Sequence, residues 1–276
     1  MRHDRDGTGP GPLDVRMPRR RLLGAAAWGL AAIWSACQRD VIRDVARGVG
    51  DGGRGPARLK ARPHPPSQPS PGPGVHPLGL EPVRDGLVFV PAGLPPDRPA
   101  PLLVMLHGAG GDARGGLGVL GRLAEERGVV VVAPDSRGRT WDVILGAYGP
   151  DVAFVDRALA QAFDRHAVDP ARVAIGGFSD GASYALSLGL ANGDLFHHVL
   201  AFSPGFSASR DGPGRPRFFV SHGTDDGVLP IASTSRRIVP DLEREGYAVR
   251  YREFAGGHAV PPEVVEEAVA WFLMGG

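Results

Sequence analysis

From about residue 80 to its end, the chain alternates short apolar runs with amphipathic stretches, and this alternation limits its fold more than any other feature. Leu87–Val90 reads as a strand closed by Pro91. Pro101–Gly108 (PLLVMLHG) and Val129–Pro134 (VVVVAP) are continuously apolar, as strands buried on both faces are. A helical pattern covers Leu117–Arg127. A second covers Asp151–His166, with Val152, Val155, Leu159 and Phe163 on one stripe. Further strands are expected at Arg172–Ile175, His198–Pro204, Arg217–Gly223 and Val249–Phe254, and helices at Ala182–Ala191, Ile231–Glu245 and Pro262–Leu273. Such alternation predicts an α/β fold: one domain over residues 80–276, a mostly parallel twisted sheet, helices on both faces. Ligand chemistry then belongs at the carboxyl ends of the strands.

The first 79 residues read differently. Arg19-Arg20-Arg21-Leu22-Leu23 resembles a twin-arginine export motif. The apolar run Leu22–Ala36 is shorter than the ~20 residues of a spanning helix and suits the h-region of a signal peptide. It ends in Ser35-Ala36-Cys37, which resembles a bacterial lipobox, although Trp34 stands where that motif prefers Leu. Residues 1–37 are therefore expected to be an export signal, with Cys37 the lipidation site. An uncleaved anchor and cleavage near Ala36 remain open, and Met17 is an alternative start. Residues 38–79, rich in Gly and Pro, are expected to be a disordered spacer. The protein is then periplasmic or on the cell surface, held to a membrane through a lipid.

Charge and cysteine usage exclude other classes. The net charge is +1, which gives no reason to expect nucleic acid, and no obligate protein partner is evident. Cys37 is the only cysteine, so an internal disulfide is impossible. The chain has no H-E-x-x-H, and the neighbouring His197 and His198 point different ways, so neither a metal nor another cofactor is expected.

Three loops at strand ends carry chemistry. In Gly176–Gly181 (GGFSDG), Ser179 stands at a strand-to-helix corner, where Gly177 and Gly181 relieve crowding. A serine there also suits an ordinary helix N-cap. His222–Pro230 (HGTDDGVLP) and Gly256–Pro262 (GGHAVPP) follow later strands. A serine hydroxyl needs a base to take its proton, and an imidazole base needs a carboxylate to fix its tautomer. The chain supplies serine, acid and histidine in that order, each after a different strand.

In these motifs the chain resembles the α/β-hydrolase superfamily, and among its members the small serine esterases of the phospholipase/carboxylesterase and polyhydroxybutyrate-depolymerase-like groups. The resemblance covers residues 84–273. It implies an α/β-hydrolase fold, and because no long insertion separates the late strands, no large lid is expected. It makes Ser179 the nucleophile, Asp226 rather than Asp225 the acid, and His258 the base. His222 then shapes the acid loop, and His107 braces the loop after the third strand. The backbone N–H groups of Ala109 and Asp180 form the oxyanion hole. Asp180 departs from the Gln, Asn, Met or His usual at its position. The substrate implied is a small carboxylic ester with a short acyl or small aromatic group; a polyester or thioester is the alternative. Trp141 and Tyr148, in the irregular segment 136–149, either line a substrate pocket or pack the domain. Two rivals are an inactive exported binding protein and a dinucleotide fold. The latter would use Gly108–Ala113 (GAGGDA) as its fingerprint and Asp135 as its ribose acid.

Overall fold

The computed structural model describes residues 57–95, 98–209 and 212–274. The export signal, Cys37 and residues 38–56 of the spacer lie outside the described residues. Eight strands form one sheet: β1 (Gly74–Pro77), β2 (Gly86–Val90), β3 (Ala100–Leu106), β4 (Val130–Pro134), β5 (Val168–Phe178), β6 (His198–Phe202), β7 (Arg217–Gly223) and β8 (Val249–Phe254). Their order is β1-β2-β4-β3-β5-β6-β7-β8. β2 runs antiparallel to both its neighbours, and the pairs from β4 through β8 are parallel. The mostly parallel sheet expected from the alternation is therefore present.

Among the described residues, six α-helices cover it: α1 (Ala113–Leu120), α2 (Leu123–Glu126), α3 (Pro150–Arg165), α4 (Asp180–Ala191), α5 (Ser235–Arg244) and α6 (Pro262–Met274). The apolar strands feed two cores, one on each face. Along β3, Leu102, Val104 and Leu106 pack with α3, α4 and α5 on one side, while Leu103 and Met105 pack with α2 and α6 on the other. That two-residue alternation explains why the strand is continuously apolar. The stripe Val152, Val155, Leu159 and Phe163 lies in the first core, as its spacing predicts. The helix expected over 117–127 is two short helices, because Gly121 ends α1 at φ 54°.

The largest correction concerns the spacer. Composition predicts disorder through residue 79, but residues 57–79 lie along the domain. Leu59 is 2% exposed, and its N–H donates to the Asn192 side chain at 2.8 Å. Arg58 and Arg62 both pair with Asp194. The Lys60 and Ala61 N–H groups share Asp156, and those of Ser67 and Gln68 share the Asp164 carbonyl. Gly74–Pro77 then adds an edge strand to β2. A proline-rich segment has few N–H groups to satisfy. Here the body and end of α3 and the end of α4 with the residues after it supply the acceptors, and Leu59 and Leu78 supply the anchors.

Candidate active site

Ser179 sits between β5 and α4 at φ 57°, ψ −119°, a conformation that L-residues other than glycine rarely adopt. The corner is held by its surroundings. The Ser179 N–H donates to the Phe202 carbonyl at 2.9 Å, and its own carbonyl accepts from Ala182 and Ser183. A Cβ on Gly177 would stand 2.3 Å from the Gly181 carbonyl oxygen, and one on Gly181 would stand 2.4 Å from that of Leu106. The glycines are there because backbone passes where a side chain would begin. Ser179 makes no N-cap hydrogen bond with its side chain, which is directed elsewhere.

Its hydroxyl meets His258. The His258 Nε2 is 2.9 Å from Ser179 Oγ, and its Nδ1 is 2.6 Å from Asp226 Oδ2. The imidazole also lies against the Phe178 ring, with centroids 4.7 Å apart. Asp226 is buried after β7, and its Oδ1 accepts the Val228 and Leu229 N–H groups at 2.9 and 2.8 Å. Asp225 is exposed, and its side chain is 3.4 Å from the Thr224 hydroxyl. Of the two adjacent acids, Asp226 is the one brought to His258.

The loop after β3 crosses the serine: a Cβ on Gly108 would stand 3.5 Å from that of Ser179. The Ala109 and Asp180 N–H groups donate to no protein acceptor among the described residues. His107 braces this loop from beneath. Its Nδ1 donates to the Gly108 carbonyl at 2.7 Å, and its Nε2 accepts the Ser136 N–H at 3.0 Å. Those two partners assign a neutral ring, and burial lowers its pKa accordingly. Arg84, at φ 51°, reaches the carbonyls of Gly111 and Ser136 from the other side. Nothing in the sequence marked Arg84, because all its partners are distant in the chain.

Trp141 is fully buried, stacks on Tyr184 at 5.1 Å, and donates its indole N–H to the His107 carbonyl at 2.8 Å. Of the two roles open to it, packing is the one it fills. A side chain with no exposed surface is not the wall of an open pocket. Tyr148 is half-buried, and its hydroxyl lies 2.6 Å from that of Ser209. That contact joins segment 136–149 to the loop after β6. The same loop is tied to α4 through Ser183 and Ser187, which accept the Gly205 and Ala208 N–H groups. Segment 136–149 is itself fixed by the carboxylate of Asp151, which accepts from the Arg137 and Asp142 N–H groups and is pushed by burial up to about 6.

Asp180 is 7% exposed and accepts a 2.6 Å hydrogen bond from the Thr140 hydroxyl. Burial raises its pKa, against the opposing pull of that bond. The dinucleotide reading loses its acid here: Asp135 accepts the Ala113 N–H at 2.5 Å and so closes the glycine loop itself. Among the described residues, no helix is long and apolar enough to cross a membrane.

With this sheet and these strand-end loops, the chain has the α/β-hydrolase fold. Residues 152–272 match the family described as Phospholipase/Carboxylesterase. Feruloyl esterase C of Emericella nidulans is 30% identical over 156 residues, which are 54% of this chain and 57% of that protein. A probable feruloyl esterase C of Aspergillus clavatus is 31% identical over 103 residues, 37% of each chain. The chain thus spans little more than half the length of the first curated relative. Among solved structures, a thermostable esterase is 25% identical with a TM-score of 0.56, over 69% of this chain and 58% of that one. The propionate-bound Est2 esterase of Thermogutta terrifontis shares the fold at 18% identity and a TM-score of 0.59, over 75% of this chain and 95% of that one.

Proposed function

We propose that this protein is a serine esterase that hydrolyses small carboxylic esters through an acyl-enzyme. The observation that carries the reading is the unbroken relay in which His258 touches both Ser179 Oγ and Asp226 Oδ2. His258 Nε2 takes the hydroxyl proton as Ser179 Oγ attacks the ester carbonyl. Asp226 holds the imidazole in the Nδ1–H tautomer and stabilises its cation. The Ala109 and Asp180 N–H groups receive the oxyanion, and His258 returns the proton to the departing alcohol. Water then repeats the sequence on the acyl-enzyme, and the acid is released.

Two things favour a short acyl or small aromatic group. No long insertion separates β6, β7 and β8 among the described residues, and the curated relatives are feruloyl esterases. Thioesters and polyester chain ends can react at the same serine. A panel of esters graded in chain length, with a hydroxycinnamate ester and a thioester included, ranks these substrates. A fluorophosphonate should label Ser179 in the native protein, and Ser179→Ala should lose about 10⁶-fold in turnover. Near-native turnover by folded Ser179→Ala would sink the reading.

Export and lipidation at Cys37 complete the proposal. The support is the arginine pair, the short apolar run and the lone cysteine at its end. Cys37→Ser should release the enzyme from membranes or block its processing; unchanged mass and membrane association would contradict lipidation.

A further inference from the structure

We propose that His222, which the catalytic steps do not use, is a positioning residue for the relay. It holds the Asp226–Leu229 turn, and with it the carboxylate oxygen that receives His258. The inference rests on the serine-esterase reading.

His222 is fully buried at the end of β7. Its Nε2 lies 2.8 Å from the Leu229 carbonyl and 3.1 Å from Asp226 Oδ2. Both are acceptors, so Nε2 carries the hydrogen. Its Nδ1 therefore accepts from the Ser235 hydroxyl, 2.7 Å away on the first turn of α5. Burial lowers the pKa of the ring, in keeping with a neutral imidazole. The charged or titratable groups that act on it are Asp226 and His258, with Glu253 alongside.

Leu229 is gripped at both ends. Its N–H donates to Asp226 Oδ1, and its carbonyl faces His222. The carboxylate then has Oδ1 fixed by two backbone donors and Oδ2 set between two imidazoles. Ser235 fixes the His222 tautomer, His222 fixes the turn, and the turn fixes the oxygen that orients His258. Without the Nε2 donor, the Leu229 carbonyl and Asp226 Oδ2 lose a buried partner and the turn is free to open. A small displacement of an orienting group acts on proton transfer in the transition state more than on substrate binding.

The test uses the full chain, with rates expressed per site titrated by a fluorophosphonate, so that loss of folded protein is not counted as loss of turnover. His222→Leu should lower kcat by 10- to 100-fold with KM within about twofold. His222→Gln, whose amide can donate from nearly the place of Nε2, should recover kcat to within about threefold of the native value. Ser235→Ala, which releases the tautomer, should cost several-fold. Native kcat per titrated site in His222→Leu would overturn the proposal, as would equal losses in the Leu and Gln variants. If His222→Leu does not fold, the other two variants decide: native kcat in Ser235→Ala, or a His222→Gln protein as slow as one lacking the acid, overturns it. Failure of the native protein to react with the fluorophosphonate overturns the esterase reading instead, and this proposal with it.

Discussion

His258 Nδ1 stands 2.6 Å from Asp226 Oδ2, while the neighbouring carboxyl of Asp225 faces solvent. Only one of two adjacent acids can orient the imidazole, because successive side chains leave the loop in different directions. Asp226→Asn should therefore lower kcat by about 10⁴-fold, the cost of forcing the wrong tautomer on a triad histidine. Asp225→Asn should leave kcat within about twofold. Initial rates on an activated ester decide, and a larger loss in Asp225→Asn would move the acid by one residue.

The elbow glycines should differ sharply from an ordinary helical glycine. A Cβ on Gly181 would press on the backbone oxygens of Leu106 and His107 at 2.4 and 2.5 Å, and backbone cannot turn aside as a side chain can. Gly181→Ala should destabilise the domain by about 3 kcal/mol or more. Gly118 in α1 is exposed, with nothing within 4 Å of its missing Cβ. Gly118→Ala should stabilise by about 0.5–1 kcal/mol. Urea midpoints measure both. A Gly181→Ala protein as stable as the native one would show that the corner is looser than its geometry.

These contrasts show how far the sequence can be read. Ser179, Asp226 and His258 are legible because chemistry dictates their residue types and the strand pattern dictates their places. Arg84 and Thr140 are not. Each acts on a partner dozens of residues away, Gly111 for one and Asp180 for the other, and no local pattern records such a pairing. Trp141 left two roles open, because an aromatic residue in a loop suits a pocket as well as a core. β1 was hidden for a different reason. Gly74-Val75-His76-Pro77 has no alternation to detect, and its strand exists because the β2 edge is there to pair with it.

Asp180 places a carboxyl beside the amide proposed to bind the oxyanion. A charge there opposes the charge that develops in the transition state. It also favours the His258 cation, but Asp226 at 2.6 Å already does so. The repulsion should win, and Asp180→Asn should raise kcat, since asparagine keeps an acceptor for the Thr140 hydroxyl. Burial raises the Asp180 pKa, so its charge is lost as pH falls. The gain should be a few-fold at high pH and shrink as the pH falls. A slower variant at high pH would mean that the charge assists the reaction or attracts a cationic substrate.

His198 is 1% exposed, with Trp271 and Phe272 edge-on to its ring and no hydrogen-bond partner for either nitrogen among the described residues. Burial, with Arg217 and then His197 adding to it, holds its pKa down to about 4. In the unfolded chain the ring titrates near the ordinary ~6.5. Between those values the unfolded chain binds a proton that the folded domain refuses, so stability falls as pH drops through that window and levels off below it. The loss is about 3 kcal/mol. His198→Phe should flatten the decline, as read from urea midpoints between pH 7 and pH 4. Parallel curves for the two proteins would place the acid sensitivity elsewhere.

The domain should begin well before residue 80. A chain starting at residue 57 keeps Leu59 in the core, both arginines on Asp194 and β1 on the sheet edge. A chain starting at residue 80 loses all three and leaves the β2 edge open to pairing with another molecule. The exposed Arg–Asp pairs are worth little each, so the loss is mainly that of the buried Leu59 and Leu78 and of the edge strand. The shorter chain should unfold at least about 4 kcal/mol more easily, about 2 kcal/mol for each of the two buried leucines removed, and should aggregate sooner on heating. Ser179, Asp226 and His258 make their hydrogen bonds to residues outside 57–79, so kcat per titrated site should stay native. Equal stability of the two chains would return residues 57–79 to the role of a passive spacer.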